Sequence, residues 1–497
     1  MVGPPYTQPH ALMQAAPGSY KESPSQFAEQ SNWKVAQPQD AMLRGKWWEI
    51  FHDADLNALE DQLNINNQNI KEFFQNYMEA RALIGEARSQ LFPTLTVSPF
   101  YTWQRSPSGA GVSTSTGSTG TTTGTGASVV STRNNVTTFT SLPFDVSWEP
   151  DLWGRVRSAV NQAAYNSQLS AADLENERLT EQSSLAVYFF EIRGQDALQK
   201  LFNDTIVADK KQLDITTAQY ETGVGDQISV VEAQTTLQTA QADATNVGVL
   251  RAQYEHAIAV LVGKNPSQFS IPVKPSITAP PPIPIGVPSQ LLERRPDIAA
   301  AERLMAAENA QIGIAYAAYY PDLTLSASAG FESSSLRSLL DWPNRFWSIG
   351  PSASYTIFDG GLRRATANQY IAEYNSAVAA YRQAVLTAFQ QVEDNLSGVR
   401  ILSQEAEQQN QAVQSAQKSL TLELSRYETG VDPYVDVVIA QTTLLGNQQS
   451  LLNAQIQEIT SAVQLIAALG GGWGSSQLPT TQQVSQWPTT QEKAIQQ

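Results

Sequence analysis

Fixed chemistry in a chain of 497 residues with no cysteine and three histidines has to rest on carboxylates, arginines and hydroxyls. Disulfides, thiolate metal sites and cysteine nucleophiles are excluded together. With only His10, His52 and His256, histidine chemistry is not expected either. Asp and Glu number 47, yet nothing in their spacing fixes two at the separation that paired-carboxylate catalysis needs. Gly109-Ala110-Gly111 and Gly470-Gly471-Gly472 are not followed by the Lys-Ser/Thr of a phosphate loop, and no Gly-x-Ser-x-Gly is present. The sequence does not read as an enzyme. What remains gathers at a turn that occurs twice. Tyr220-Glu221-Thr222-Gly223-Val224 returns as Tyr427-Glu428-Thr429-Gly430-Val431. Gly223 and Gly430 are placed to end long helices in the left-handed conformation that glycine adopts without steric penalty. Asp226, Arg426, Tyr427, Asp432 and Asp436 flank these turns. An isolated Asp on a helix is ordinarily just solvated, so residue types alone support a helix-hairpin turn and no more.

The elements that carry these residues are duplicated. Between 220–237 and 427–444, 12 of 18 positions are identical at a constant offset of 207. Ile70, Gly85 and Pro93 recur as Ile298, Gly313 and Pro321, 228 apart. The difference implies an insertion between Pro93 and Asp151, visible as an uncharged Ser/Thr/Gly tract from Ser106 to Thr132. Each unit reads as helix, strand, loop, strand, long helix, turn, helix. The expected layout is an extended N-terminal segment over 1–52, repeat 1 over 53–270, a Pro-rich linker over 271–288, repeat 2 over 289–471 and a flexible tail over 472–497. Within repeat 1, strands are expected at about 94–104 and 137–149, and helices at about 155–222 and 228–262. In repeat 2 the corresponding strands fall at about 322–332 and 348–358, with helices at about 362–428 and 435–469.

Composition narrows the class. Hydrophobic residues make up 41% of the chain and no run approaches the roughly 18 consecutive apolar residues of a spanning helix. A net charge of −16 argues against nucleic acid as a partner. The N-terminus shows no charged and apolar leader, which suits a cytosolic chain or a mature form.

The short segments alternate. Leu95, Val97, Tyr101 and Trp103, then Leu142, Phe144, Val146 and Trp148, are interleaved with small polar residues. In repeat 2, Leu323, Leu325, Ala327, Ala329 and Phe331 alternate with Thr and Ser, as do Ala353, Tyr355 and Ile357. Four such stretches match transmembrane barrel strands, and also an ordinary antiparallel sheet with one wet face. Pro99, Pro143 and Pro351 count against a regular ladder in either case. The long helices hold no proline and one glycine each, Gly194 and Gly398, and about 65 residues give about 100 Å. Leu445, Leu452, Ile456, Ile459, Val463 and Ile466 follow coiled-coil spacing. Helices alone would read as a soluble coiled-coil structural or adhesion protein. Strands shift the balance: four cannot close a barrel, so in a membrane several protomers must complete one together.

Several motifs resemble a known family. Val287-Pro288-Ser289, Leu292-Glu293-Arg294-Arg295-Pro296-Asp297-Ile298, Ala301-Glu302-Arg303 and Ala318-Tyr319-Tyr320-Pro321 look typical of TolC-like outer-membrane factors, in the lipoprotein branch that serves resistance-nodulation-division pumps. Trp47-Trp48, Trp148 through Arg155, Phe358-Asp359-Gly360-Gly361 and Val392-Glu393-Asp394 add support. The resemblance runs from Val2 to about Gly470. It implies a mostly α chain with a transmembrane β-barrel: a homotrimer whose twelve-stranded barrel in the outer membrane continues into a periplasmic helical tunnel. The function implied is the exit duct of a tripartite efflux system, with a type I secretion duct as the alternative within the family. Its partners would be a periplasmic adaptor, an inner-membrane pump and outer-membrane lipid. No cofactor is implied beyond an N-terminal lipid on the native form, whose anchoring cysteine is absent from this chain. The loops from Arg105 to Arg133 and Ser333 to Arg345 would face outside the cell. Gly223, Val224, Gly430 and Val431 would form the tip that meets the adaptor. Asp436 takes the place of an inward-facing acidic residue, three copies of which would form a cation-attracting ring. Where some relatives lock the aperture with an Asp–Arg pair and a tyrosine, the matching positions are Ser229, Asp432 and Tyr427. That leaves Arg426 and Tyr427 as latch candidates, with Asp226 or Glu428 as partners. Closure by packing and hydrogen bonds would be less salt-sensitive than closure by ion pairs.

Overall fold

A computed structural model describes residues 1–11, 20–21, 45–105, 136–283 and 294–486. Helices dominate: α1 (Ala54–Asn66), α2 (Gln68–Ser89), α3 (Arg155–Glu221), α4 (Gln227–Leu261), α5 (Pro296–Ala317), α6 (Leu362–Glu428) and α7 (Tyr434–Ala468). The strands are β1 (Thr94–Val97), β2 (Phe100–Arg105), β3 (Val136–Trp148), β4 (Asp322–Ser333) and β5 (Arg345–Ser354). The chain divides into two compact units. One comprises Met1–Pro5, Ile84–Asn161 and Asn309–Ile371, and the other the remaining segments. The Ser106–Thr132 tract and the end of the Pro-rich linker lie outside the described residues.

The first unit is an antiparallel sheet in which β1 and β2 both pair with β3, followed by β4 and β5. The first stretch is therefore not one strand over 94–104. Val97 lies opposite Phe144 and Phe100 opposite Ser141, so the interruption falls where Pro99 and Pro143 approach each other, two residues that cannot donate to a ladder. Across its other edge, Pro143 faces Gly330. A Cβ at Gly330 would stand 2.2 Å from the Leu142 carbonyl oxygen, so only glycine lets β4 pass there. Pro351 sits on the edge strand β5, where a missing donor is tolerated. β5 begins and ends earlier than the alternation of 348–358 suggests, because Arg345, Phe346 and Trp347 already pair with β4.

Register decides which face each residue takes. Leu95, Val146, Ala327 and Ile349 lie across one face, as do Val97, Phe144, Ala329 and Trp347. Thr96, Asp145, Ser328 and Ser348 occupy the other. The apolar face is open: Trp347 is 75% and Trp103 74% exposed. No helix among the described residues is long and apolar enough to cross a membrane.

The second unit holds the main core, where Trp47, Trp48 and Phe51 pack with Leu56, Leu63, Phe189, Ile192, Val463 and Ile466. The N-terminal segment is thus not extended throughout 1–52: Trp47–Phe51 forms a 3-10 turn because two indoles and a phenyl ring bury together. Likewise the tail after 472 is ordered at first, with Trp473 packed on Ala172, Ala299 and Ala300, and a capping box at Thr480 opening a one-turn helix. The helix before the first strands is broken at Asn67, whose side chain accepts from Ile70 N and donates to Leu261 O. Gly194 permits close packing of α3 on α7, since a Cβ there would stand 2.3 Å from Ile456 Cδ1.

A charged knot fastens the linker. Asp196, 1% exposed, accepts from Arg251 Nε at 2.7 Å and from the Lys274 backbone N–H at 2.8 Å, with Arg193 at 3.7 Å. Arg193 also reaches Asp55 and the Pro272 carbonyl, and Glu255 accepts from Ile271 N. Buried charges persist only when paired and hydrogen-bonded in this way.

Gly330→Ala is expected to lower the unfolding midpoint through an overpacking penalty of about 1–3 kcal/mol. Gly350→Ala, whose Cβ meets nothing within 4 Å, should leave it nearly unchanged. Thermal unfolding followed by circular dichroism makes the comparison.

Candidate functional site at the duplicated turns

Thr222 N to Ala218 O, Gly223 N to Tyr220 O and Val224 N to Gln219 O close the first turn, and Gly225 N also donates to Gln219 O. The first three recur 207 residues on, as Thr429 N to Ser425 O, Gly430 N to Tyr427 O and Val431 N to Arg426 O. This is a left-handed helix ending, with φ of +75° at Gly223 and +74° at Gly430. Val224 is 82% and Val431 64% exposed, and Ile228, Val231, Val435 and Ile439 extend an apolar surface along the helices that leave the turns. The backbone repeats faithfully; the side chains around it do not.

Asp226 accepts from Ser229 N at 2.8 Å and caps α4. That backbone bond holds its carboxyl below the usual carboxylate range. In the second turn Pro433 stands at the cap position and has no capping side chain. Arg426 instead bridges its own turn to Asp432, with Nη2 donating to Oδ1 at 2.9 Å. The partner of Arg426 is therefore neither Asp226, already committed to capping, nor Glu428. An Asp–Arg pair is present, but inside one turn, so it fastens no helix pair to another.

The link between the two turns is neutral. Tyr427 Oη donates to Gln219 Oε1 at 2.7 Å. Burial raises its hydroxyl pKa first, the charge of Asp226 raises it further, and a hydrogen bond with Ser229 opposes both. Its ring packs on Tyr434 at 5.2 Å between centroids, and Tyr434 belongs to a small cluster with Ala233, Ala416, Leu420, Val437, Ala440 and Leu444. Tyr220, the counterpart of Tyr427, is exposed. Gln219 went unrecognised in the sequence because its counterpart at offset 207 is Arg426, so the repeat carries no common signal there.

Asp436, in the first turn of α7, lies with Arg426, Asp432, Glu423 and Ile439 around an open depression. Its charge contributes to raising the Arg426 pKa, after Asp432 and Glu423. The structure thus gathers Arg426, Asp432 and Asp436 at one turn and leaves Asp226 at the other.

The family model described as "Outer membrane efflux protein" matches residues 59–264 and 287–471. The chain belongs to this family. It is 31% identical over 475 residues to the solvent efflux pump outer membrane protein SrpC of Pseudomonas putida, covering 95% of this chain and 96% of that one. To the outer membrane protein OprJ of Pseudomonas aeruginosa it is 29% identical over 463 residues, 92% of each chain. Among solved structures, the outer-membrane channel OprN aligns with a TM-score of 0.82 at 25% identity, covering 95% of this chain and 99% of that one. This is an outer-membrane efflux protein, and its family is one of channels.

A double-mutant cycle on Tyr427→Phe and Gln219→Leu should give a coupling of about 1 kcal/mol, the net worth of one partly buried hydrogen bond. Hydrogen exchange over residues 213–235, at low and high salt, reads it. Coupling that fell away with salt would instead mark an ionic latch.

Proposed function

We propose that three copies of this chain close one barrel in the outer membrane and form a passive exit duct for small molecules. The observation that carries the reading is the sheet: an exposed apolar face, an opposite Ser/Thr face, and unpaired edges at β1/β2 and at β5. Counting β1 and β2 as one interrupted strand, each protomer offers four, and three protomers offer twelve. Closure satisfies every edge, as hydrocarbon requires. In such a barrel the apolar side chains would face lipid, and Ser, Thr and Asp145 would face the lumen.

The helices then continue the duct into the periplasm. Gly223, Val224, Gly430 and Val431, with the exposed apolar side chains beside them, form the tip that receives the adaptor's helices. Exposed apolar residues at a fixed turn suit that docking, because they gain by burial without first breaking a bond. A resistance-nodulation-division pump would supply cargo through the adaptor. Relatives named for solvent and toluene efflux suggest small apolar molecules among that cargo. Native acylation near the N-terminus would add an outer-membrane lipid anchor.

At the aperture, Asp436 from three protomers forms the acidic ring, with Arg426 and Asp432 beside it and Tyr427 fastening the two turns within each protomer. Carboxylates at close range attract cations and weaken anion entry. Purified protein in a planar bilayer should show small cation-preferring openings, and Asp436→Ala should lower that preference. A protein that stays soluble without detergent and never inserts would overturn the duct. Openings whose selectivity ignores the substitution would remove Asp436 from the aperture.

A further inference from the structure

Asp209 of α3 is 3% exposed. Its Oδ1 accepts from Gln441 Nε2 of α7 at 3.1 Å. Its Oδ2 and Gln441 Oε1 are both buried, and neither has a hydrogen-bond partner among the described residues. Two acceptors without donors, on side chains already joined by one hydrogen bond, are an unfavourable arrangement if the carboxylate is ionised. A single proton resolves both. On the neutral acid, the Oδ2–H donates to Gln441 Oε1 while Gln441 Nε2–H continues to donate to Oδ1, closing a ring of two hydrogen bonds. No atom is left unpaired and no charge is left buried.

We propose that Asp209 and Gln441 are a proton-operated joint between the two repeats, closed when Asp209 is the neutral acid and loosened when it ionises. The surroundings favour the neutral form. A cavity of ≈ 390 Å³ beside the pair is lined by Thr205, Thr236, Thr239, Asp243, Leu420 and Leu444, among others, and by no lysine or arginine. From α4 come the carboxylates Glu232, which acts on Tyr434, and Asp243. α7 adds the Tyr434 hydroxyl and α6 the apolar Leu420. Lys210 and Lys211, next along α3, are exposed. Burial raises the Asp209 carboxyl from 3.8 to about 6, partly opposed by the Gln441 hydrogen bond.

The direction follows from linkage. A carboxyl whose pKa is higher closed than open binds more protons in the closed state. Its contribution to closure is greatest at low pH and is lost as pH rises through about 6. The pair lies in one protomer, bridging α3 and α7 beside the small cluster around Tyr434. Only the consequence for a duct, an aperture that loosens at neutral pH and tightens in acid, rests on the function proposed above.

The test is hydrogen exchange of the full-length protein in detergent, read over residues 200–221 and 434–450 at pH 5 and pH 7.5, with intrinsic exchange rates divided out. Wild-type protection should fall about tenfold between the two, as a shift from 3.8 to about 6 requires. Asp209→Asn supplies a permanent amide donor in place of the proton, and should keep the low-pH protection at both values. Infrared spectra should show a protonated carboxyl band at pH 5 that the variant lacks. Wild-type protection independent of pH, or an Asp209→Asn protein that retains the wild-type pH dependence, would overturn the joint. Neither outcome depends on pore formation, so failure here leaves the duct standing, and a failed bilayer experiment leaves the joint standing.

Discussion

A backbone N–H or C=O left unpaired in hydrocarbon carries a penalty of several kcal/mol, and this sheet has two edges full of them. One protomer cannot remove that penalty. Bending four short strands back on themselves would demand a radius far tighter than a barrel of about eight strands, the size whose interior side chains just fill. Every other feature of the sheet is consistent with edges that are paired by neighbours. The Ser/Thr face is dense in small side chains that would point into a shared lumen, and the apolar face carries tryptophan, isoleucine and phenylalanine that would be an aggregation hazard in water. The prolines obey the same constraint. Pro99 and Pro143 share a single interruption instead of spoiling the ladder at two places, and Pro143 is tolerated in an interior strand only because Gly330 leaves room beside it.

Duplication gave the chain two copies of a helical turn, and the copies have been kept by different means. The backbone solution is common to both: three hydrogen bonds and a left-handed glycine at the same offset. Side chains diverge wherever the two copies face different neighbours. Asp226 caps its helix, whereas Asp432 sits one residue earlier in its turn and answers Arg426 across it. The linker knot is equally one-sided. At the offset of 207, Arg193, Asp196, Arg251 and Glu255 correspond to Arg400, Ser403, Glu458 and Ala462, so only repeat 1 has the two carboxylates that receive the linker backbone. A duplicated unit needs this asymmetry, because only one copy is followed by a linker that must be held.

Much of this was legible in the sequence, for a physical reason. Period-2 alternation and proline-free stretches of some 65 residues are signals spread over many positions, and the turn glycines are fixed by a conformation few other residues adopt. Contacts set by a single pair were not legible. Arg426 had several carboxylates within reach along the chain, and its choice of Asp432 depended on Asp226 being occupied by a helix end. The pairing of Tyr427 with Gln219, and of Asp209 with Gln441, joins positions more than 200 residues apart with no charge complementarity to announce them. Aromatic burial outweighs composition at both ends of the chain. Trp47, Trp48 and Trp473 order segments whose glutamine, serine and proline content reads as loose.

Two of the apolar clusters of the helical unit differ in kind, and the difference bears on where the molecule can yield. The cluster around Trp47 and Phe189 is large and aromatic, and the charged knot at Asp196 adjoins it through Arg193, which stacks over the Phe189 ring at 4.6 Å. The cluster beside the turns has seven fully buried members, of which three are alanine and one is tyrosine. With burial worth about 25 cal/mol per Å², alanines contribute little, and the single hydrogen bonds that Tyr427 and Gln441 make add about 1 kcal/mol each. Local opening draws on the least stable cooperative unit, which here is the turn end. The alanine-lined helices at the turn end are the ones whose separation exposes the least apolar area, while the aromatic core and the knotted linker hold the rest of the repeat pair in register.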